Sequence, residues 1–308
     1  MEYVIGIDGG GTKTILRVVS LDGSFLTEIM GGPSNIQASS ILKVSKMLSD
    51  LLDSALYMKG LKKEECKYLC MGAAGVDGIF EKELFEAEFR SYGIVCPIYI
   101  TNDSETMLAE SVGMSEGIVV ISGTGSIAYG RDKSGKEFRS GGWGHIIGDE
   151  GSGYWIAIEA IKAAVRYSDS RAEKTILLER LLKKLGFKEA RDILNYIYNS
   201  DNEKSEIAAL AVVVDEAYKS GDKVARSILL CAAKELFVMF DAVAAALHFK
   251  EDSFTVVAGG SVFSNNEFVY NTFCDYISEK YSGSCVIKSL NRAADGAVRI
   301  ALNMMSKG

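Results

Sequence analysis

The sequence repeats one short unit, and this repeat limits the possible folds more than any other feature. Each copy has a β-branched strand pattern, a glycine-rich loop, a second strand pattern and an Asp-Gly-type turn. The first copy is built around the loop after Asp8, and the second around the loop that begins at Gly123. Self-similarity of this kind predicts a duplicated fold.

Strand and helix patterns alternate outside the two copies. Apolar periodicity predicts a helix from about Ser39 to Met58, and buried strands are predicted at Tyr68–Met71 and Pro97–Thr101. The chain then becomes mainly helical between Gly151 and about Phe249. Such alternation predicts α/β layers.

The first glycine loop follows a predicted strand that ends at Asp8. Backbone N–H groups at Gly10 and Gly11 can approach phosphate oxygens, while Thr12 and Lys13 add a hydroxyl and a positive charge. Asp8 is the candidate for holding Mg²⁺ through its water shell. A nucleotide P-loop is excluded because Thr12, not glycine, precedes Lys13 and a strand pattern follows.

The second and third glycine loops are further candidates for nucleotide binding. The second resembles a dinucleotide motif, but Gly130 and a turn at 132–135 come too soon for the required helix. The third follows a strand and opens a helix, so it can pass close to a base or ribose. Tight turns without a ligand are the alternative for each loop. The candidate residues are Gly123, Thr124, Gly125 and Ser126, then Gly259, Gly260 and Ser261.

Composition excludes several other classes of protein. The net charge is −7 and the pI about 5.1, and no basic cluster is large enough to bind nucleic acid. The first residues lack the pattern of a signal peptide, and no apolar stretch is long enough to span a bilayer. Six scattered cysteines without a Cys-x-x-Cys pair favour free thiols and a cytoplasmic protein.

Six motifs stand out along the chain: Asp8–Thr14, Thr101–Asp103, Ser122–Ser126, Gly141–His145, Gly148–Ser152 and Ala258–Ser261. With these motifs the chain resembles the N-acetylglucosamine kinases of the actin, Hsp70 and hexokinase superfamily. More broadly it resembles the BadF/BadG/BcrA/BcrD ATPase group. The resemblance implies an α/β fold of two ribonuclease-H-like (actin-like ATPase) domains with a cleft between them.

The resemblance also implies an organisation and a chemistry. The expected domains are an N-terminal α/β domain at 1–117 and a C-terminal α/β domain with a helical insertion at 118–291. The final helix, about 292–308, is expected to pack on the first domain. The expected cofactors are ATP and Mg²⁺, and the expected assembly is a homodimer. The expected substrate is N-acetylglucosamine, with N-acetylmuramic acid as a second candidate, in amino-sugar or cell-wall recycling.

Asp103 is the predicted catalytic base because the family's matching aspartate has that role and because it ends a predicted strand. The alternative is that Asp103 only caps the helix that follows. The resemblance makes Asn35, Ser140 and Asp149 the other sugar-binding candidates, with Asp103 again among them. Trp143 either stacks on the sugar or lies in the core.

The sequence departs from the family's pattern in one loop, and two functions remain as alternatives to a kinase for N-acetylated amino sugars. Ala73 and Ala74 occupy a loop in which some relatives have a serine near the acetyl group, so glucosamine or another hexose is an alternative substrate. The other rival is an ATPase that activates a 2-hydroxyacyl-CoA dehydratase. Such an activator needs cysteines for a bridging iron–sulfur cluster, and the six cysteines show no convincing spacing.

Overall fold

The computed structural model describes residues 1–36, 40–76, 78–198, 203–249, 253–290 and 292–307. The chain forms two compact units. Unit 1 comprises Met1–Glu116 and Ser289–Gly308, and unit 2 comprises Gly117–Lys288. Ser39, the predicted start of the first helix, and Gly308, the predicted end of the last helix, lie outside the described residues.

Unit 1 contains a five-stranded sheet in the order β3-β2-β1-β4-β5. β1 pairs antiparallel with β2 and parallel with β4; β2–β3 is antiparallel and β4–β5 parallel. The strands are β1 (Tyr3–Gly9), β2 (Thr14–Ser20), β3 (Phe25–Gly31), β4 (Cys66–Ala73) and β5 (Ile98–Thr101). The helices are α1 (Ile41–Lys59), α2 (Ile79–Ser91), α3 (Asp103–Val112) and α12 (Ala293–Lys307), with a 3₁₀ turn at Lys63–Glu65.

β1 carries no charged side chain from Tyr3 to Ile7 because its two faces pack on different helices. Ile5 and Ile7 belong to the cluster that includes the buried face of α1, whereas Val4 belongs to the cluster formed with α12. Successive side chains of a strand point to opposite faces, so one strand supplies both clusters. A Cβ at Gly6 would lie 2.6 Å from Val298, so this glycine lets α12 approach the sheet.

Unit 2 repeats the sheet with the order β10-β9-β6-β7-β8. Its strands are β6 (Gly117–Ser122), β7 (Ser126–Arg131), β8 (Glu137–Gly141), β9 (Thr255–Gly259) and β10 (Cys285–Lys288). Its helices are α4 (Gly153–Ser168), α5 (Leu177–Leu185), α6 (Ala190–Tyr198), α7 (Lys204–Ala208), α8 (Ala211–Lys219), α9 (Lys223–Ala246), α10 (Ser261–Asn265) and α11 (Glu267–Lys280). Helices α4–α9 lie between β8 and β9 in the chain and surround a core of buried aliphatic and aromatic side chains.

The two sheets have the same topology, which confirms the α/β fold and the internal repeat. In each unit a three-stranded meander is extended on the side of its first strand by two parallel strands. The sequence pattern in the second copy ended at the turn 132–135, and β8 completes the match. No helix among the described residues is long and apolar enough to cross a membrane.

Candidate active site

In unit 1 the first glycine loop joins two antiparallel strands and leaves its tip open. Asp8 lies near the end of β1, opposite Ile15 of β2 and Gly72 of β4. The N–H of Gly10 donates to the carbonyl of Lys13 at 2.9 Å, which closes the turn. A Cβ at Gly11 would meet no atom within 4 Å. Backbone and side chains at the tip are therefore accessible to an anionic ligand.

Asp103 is the first residue of α3, but it does not cap that helix. The cap is Asn102, whose side-chain oxygen accepts the N–H of Glu105 at 2.8 Å. The alternative interpretation of Asp103 as a helix cap is therefore wrong. Asp103 is partly buried, and its charge reaches Asp8.

Asp8 and Asp103 form a pair of neighbouring carboxylates. Burial raises the pKa of Asp8 to about 7, with a further contribution from the negative charge of Asp103. The positive charge of Lys13 acts in the opposite direction, and Glu110 raises the pKa slightly. A carboxylate in this environment is stabilised in its charged form by a bound cation. Asp8 therefore fits the predicted magnesium role.

The raised pKa leads to a first prediction, for Asp8→Asn. The folded state binds the Asp8 proton more tightly than the unfolded chain, so this group lowers stability as pH rises from about 4 to about 7. We expect Asp8→Asn, without metal, to raise the free energy of unfolding at pH 8 by about 2–4 kcal/mol. The gain should shrink towards zero as the pH is lowered to about 4.

Urea unfolding of both proteins in EDTA at several pH values measures this difference. Asp50→Asn, a change on the exposed side of α1, is the matched control. A pH-independent difference for Asp8→Asn would show that burial and Asp103 do not disfavour the Asp8 charge.

Two close backbone contacts position α3. A Cβ at Gly72 would lie 2.5 Å from the side chain of Thr106 and 3.0 Å from the carbonyl of Asn102, so α3 begins against β4. A Cβ at Gly296 of α12 would lie only 1.8 Å from the carbonyl oxygen of Thr106. Glycines in β4 and α12 let both elements approach α3 closely, and this close packing fixes the position of Asp103 at the start of α3.

In unit 2 the second glycine loop is bonded to the segment that precedes α4. The hydroxyls of Ser122 and Ser126 donate to the carbonyls of Gly151 and Glu150 at 2.8 and 2.7 Å. The N–H of Gly153 donates to the carbonyl of Gly123 at 2.8 Å. A Cβ at Gly123 would meet nothing within 4 Å, so this loop too has open backbone.

Asp149 lies against the second glycine loop and is only 3% exposed. One carboxylate oxygen accepts the N–H of Ser126 at 3.2 Å, and the other accepts Nζ of Lys204 at 2.6 Å. Its backbone is left-handed, with φ of 63°. The sugar-binding role of Asp149 stays a prediction, because in the structure both oxygens are engaged within unit 2. Lys204 comes from α7, and no sequence motif indicated it.

The third glycine loop abuts the second. Gly259 ends β9 and Gly260 has φ of 95°, after which α10 begins at Ser261. A Cβ at Gly260 would lie 2.3 Å from the carbonyl oxygen of Ser122. Glycine is therefore required here both by the positive φ and by this close contact. The structure thus brings together the predicted residues of these two loops.

The remaining candidates lie beside the loops or on strand β8. Asn35 is partly buried and follows Ser34, whose N–H donates to the carbonyl of Gly10 at 3.1 Å. Ser140, opposite Ala128 in the β7–β8 pair, is also partly buried. Trp143 is 64% exposed, so its alternative placement in the core is wrong.

The loop around Trp143 carries further side chains with defined neighbours. The guanidinium of Arg139 lies 5.0 Å from the Trp143 ring centroid. His145 is exposed and contacts the ring of Tyr154, with centroids 4.8 Å apart. Partial burial and the positive charge of Lys204 lower the pKa of His145. At neutral pH this imidazole is therefore mostly uncharged.

Two sheets of this shared topology, each with a glycine loop between its first two strands, define the actin-like ATPase class of fold. The crystal structure of a Chromobacterium violaceum protein matches with a TM-score of 0.75 and 25% identity, over 97% of this chain and 98% of that one. A Streptomyces griseus glucokinase of the ROK family, solved with glucose and AMPPNP, shares the fold with a TM-score of 0.57 and 16% identity, over 99% of this chain and all of that one.

The chain belongs to the BadF/BadG/BcrA/BcrD ATPase family, whose model matches residues 5–301. A Clostridium acetobutylicum relative, an N-acetylmuramic acid/N-acetylglucosamine kinase, is 46% identical over 98% of each chain. A Dictyostelium discoideum N-acetyl-D-glucosamine kinase is 28% identical, again over 98% of each chain.

Proposed function

We propose that this protein is an ATP-dependent kinase that phosphorylates an N-acetylated amino sugar. N-acetylglucosamine is the first proposed substrate and N-acetylmuramic acid the second. The observation that carries the proposal is the 46% identity to a kinase of that description along almost the whole of both chains. The Asp8–Asp103 pair beside an open glycine loop supports it.

The proposed chemistry is transfer of the terminal phosphoryl group of ATP to a sugar hydroxyl. This reaction needs positioning, neutralisation of phosphate charge and a base near the attacking hydroxyl. Asp103 accepts the hydroxyl proton in this proposal. The three glycine loops hold the nucleotide through backbone N–H groups, and Lys13 supplies positive charge.

Magnesium would neutralise charge on the phosphates. Asp8 is the proposed residue for holding it through water, and its raised pKa suits a group that meets a cation. Asp8 would hold the ion by accepting hydrogen bonds from its bound waters, and Lys13, whose charge acts on Asp8, would add a second positive group. In this proposal Asp103 is left to act as the base.

Asn35, Asp103, Ser140 and Asp149 are the proposed sugar contacts. An amide and a carboxylate each offer several hydrogen-bonding sites, which suits ring hydroxyls. Ala74 is small and only partly buried, so it can leave volume for the extra lactyl group of N-acetylmuramic acid. Ala73, predicted to lie in the same loop, instead ends β4 and is fully buried in the core. Asp149 would have to exchange one of its two present partners to reach a sugar.

The setting of the enzyme is proposed from the same resemblance. Units 1 and 2 are proposed as the two domains of the kinase, and a homodimer is the proposed assembly. A cytoplasmic location is supported by the six cysteines, which are all free thiols in the structure.

A sugar panel tests this function. With ATP and Mg²⁺, we expect ADP release above the sugar-free rate with N-acetylglucosamine, a lower or equal rate with N-acetylmuramic acid, and little with glucose or glucosamine. A coupled ADP assay measures all four. Activity confined to glucose or glucosamine would reject an N-acetylated amino sugar as the substrate but not the kinase activity. ATP hydrolysis unaffected by every sugar would reject the kinase activity itself.

A further inference from the structure

Lys204 makes the most deeply placed lysine–carboxylate pair that the structure describes in unit 2. Its Nζ lies 2.6 Å from a carboxylate oxygen of Asp149, whose side chain is 4% exposed. Other lysine pairs of this unit have more exposed carboxylates: Glu159 at 31%, Asp215 at 18% and Asp241 at 29%. Exposed pairs contribute little, whereas removing one partner of a buried pair leaves an uncompensated charge.

The partner of Lys204 lies directly against the second glycine loop. A Cβ at Gly125 would meet the two carboxylate oxygens of Asp149 at 2.9 and 3.0 Å, and the N–H of Ser126 donates to one of them. The left-handed backbone of Asp149 has to be held by its surroundings, since a non-glycine residue rarely adopts it. The side chain of Asp149 thus connects Lys204 to the loop backbone.

A buried carboxylate in contact with a loop that is proposed to bind phosphate creates an electrostatic conflict. Its negative charge repels phosphate groups at the loop unless a cation neutralises it. Lys204 provides that cation, and its charge is also felt at His145, where it lowers the pKa after the larger effect of burial. The lysine therefore acts within this cluster and not only on its own helix.

We propose that Lys204 is a positioning residue for the nucleotide site. It neutralises Asp149 and holds that carboxylate against Gly125 and Ser126, which keeps the second glycine loop in its phosphate-receiving conformation. The helical insertion, through α7, would thereby contribute to nucleotide affinity without touching the nucleotide. This inference rests on the proposed function to the extent that the second loop receives nucleotide phosphates.

Isothermal titration with MgADP, in the absence of sugar, tests the inference in the full-length protein. We expect Lys204→Met to weaken ADP binding about tenfold or more, and Lys204→Arg to stay within about threefold of wild type. The double variant Asp149→Asn/Lys204→Met should recover to within about threefold, because neither charge remains and Asn can still accept the N–H of Ser126.

Lys280→Met is the matched control. It removes a lysine–aspartate pair of the same 2.6 Å length, with Asp241, elsewhere in unit 2. Its ADP affinity should equal that of wild type. Thermal melts of each variant separate loss of binding from loss of folding. If Lys204→Met does not fold, the ADP affinity of the folded Lys204→Arg variant, together with that of the double variant, decides the proposal.

Results of three kinds would overturn it. The first is unchanged ADP affinity in a folded Lys204→Met variant. The second is a tenfold loss in Lys204→Arg or no recovery in the double variant. The third is a change confined to the KM for N-acetylglucosamine, which would mean that Lys204 competes with the sugar for Asp149. If wild type binds ADP but phosphorylates no sugar, the proposed function fails while these binding results still decide the role of Lys204.

Discussion

Replacing Asp103 with Asn is expected to lower kcat by about a thousandfold, within the range that a general base contributes. Asn keeps the shape of the side chain and some of its hydrogen bonding but cannot take the hydroxyl proton. The KM for N-acetylglucosamine should therefore change by less than about tenfold, since the base acts mainly in the transition state. Steady-state kinetics with saturating ATP measure both quantities.

Asp53→Asn is the control for this change. It makes the same substitution in unit 1, at an exposed residue that pairs with Lys63 on the surface. Its kcat should equal that of wild type. Asp103→Asn should also lower the pKa of Asp8, because one of the groups that raise it has lost its charge. Turnover of Asp103→Asn within threefold of wild type would remove Asp103 from the mechanism.

Gly296→Ala is expected to destabilise the protein by about 3 kcal/mol, as overpacking at a close contact does. Alanine normally favours a helix interior over glycine, so helix propensity alone predicts the opposite sign. The contact decides, because the added Cβ would lie 1.8 Å from the Thr106 carbonyl oxygen and 2.8 Å from the Glu110 nitrogen. Both neighbours are backbone atoms of α3, so no side chain can turn away.

Urea unfolding measures this loss, and kcat should fall as well because the displaced helix carries Asp103. Gly32→Ala is the control for stability, since a Cβ there would meet nothing within 4 Å. A Gly296→Ala protein as stable as wild type would show that α3 and α12 separate without cost.

The loops could be predicted from the sequence because their signals are local. Asp8, Gly123 and Gly259 each stand at the end of a β-branched run. A strand pattern followed by glycines can be recognised without knowing which distant residues come into contact. The matching sheet topology confirms the repeat inferred from two of them.

Other features depended on contacts that the sequence does not display. Asn102 and Asp103 are both good helix caps, so composition alone could not place the cap one residue earlier. Lys204 is an ordinary lysine until the fold brings it to Asp149, 55 residues away in the chain. Gly296 lies inside a helix, where glycine is normally unfavourable. It is needed there because the backbone of Thr106 in α3 leaves no room for a Cβ.

Direct detection of the product tests the central claim most closely. The protein is incubated with Mg²⁺, ATP labelled in its terminal phosphoryl group and N-acetylglucosamine, and the sugar fraction is examined by mass spectrometry. We expect the label to appear on the sugar with wild type and to be almost absent with Asp103→Asn. Label found only in free phosphate, with the sugar unmodified, would contradict the account.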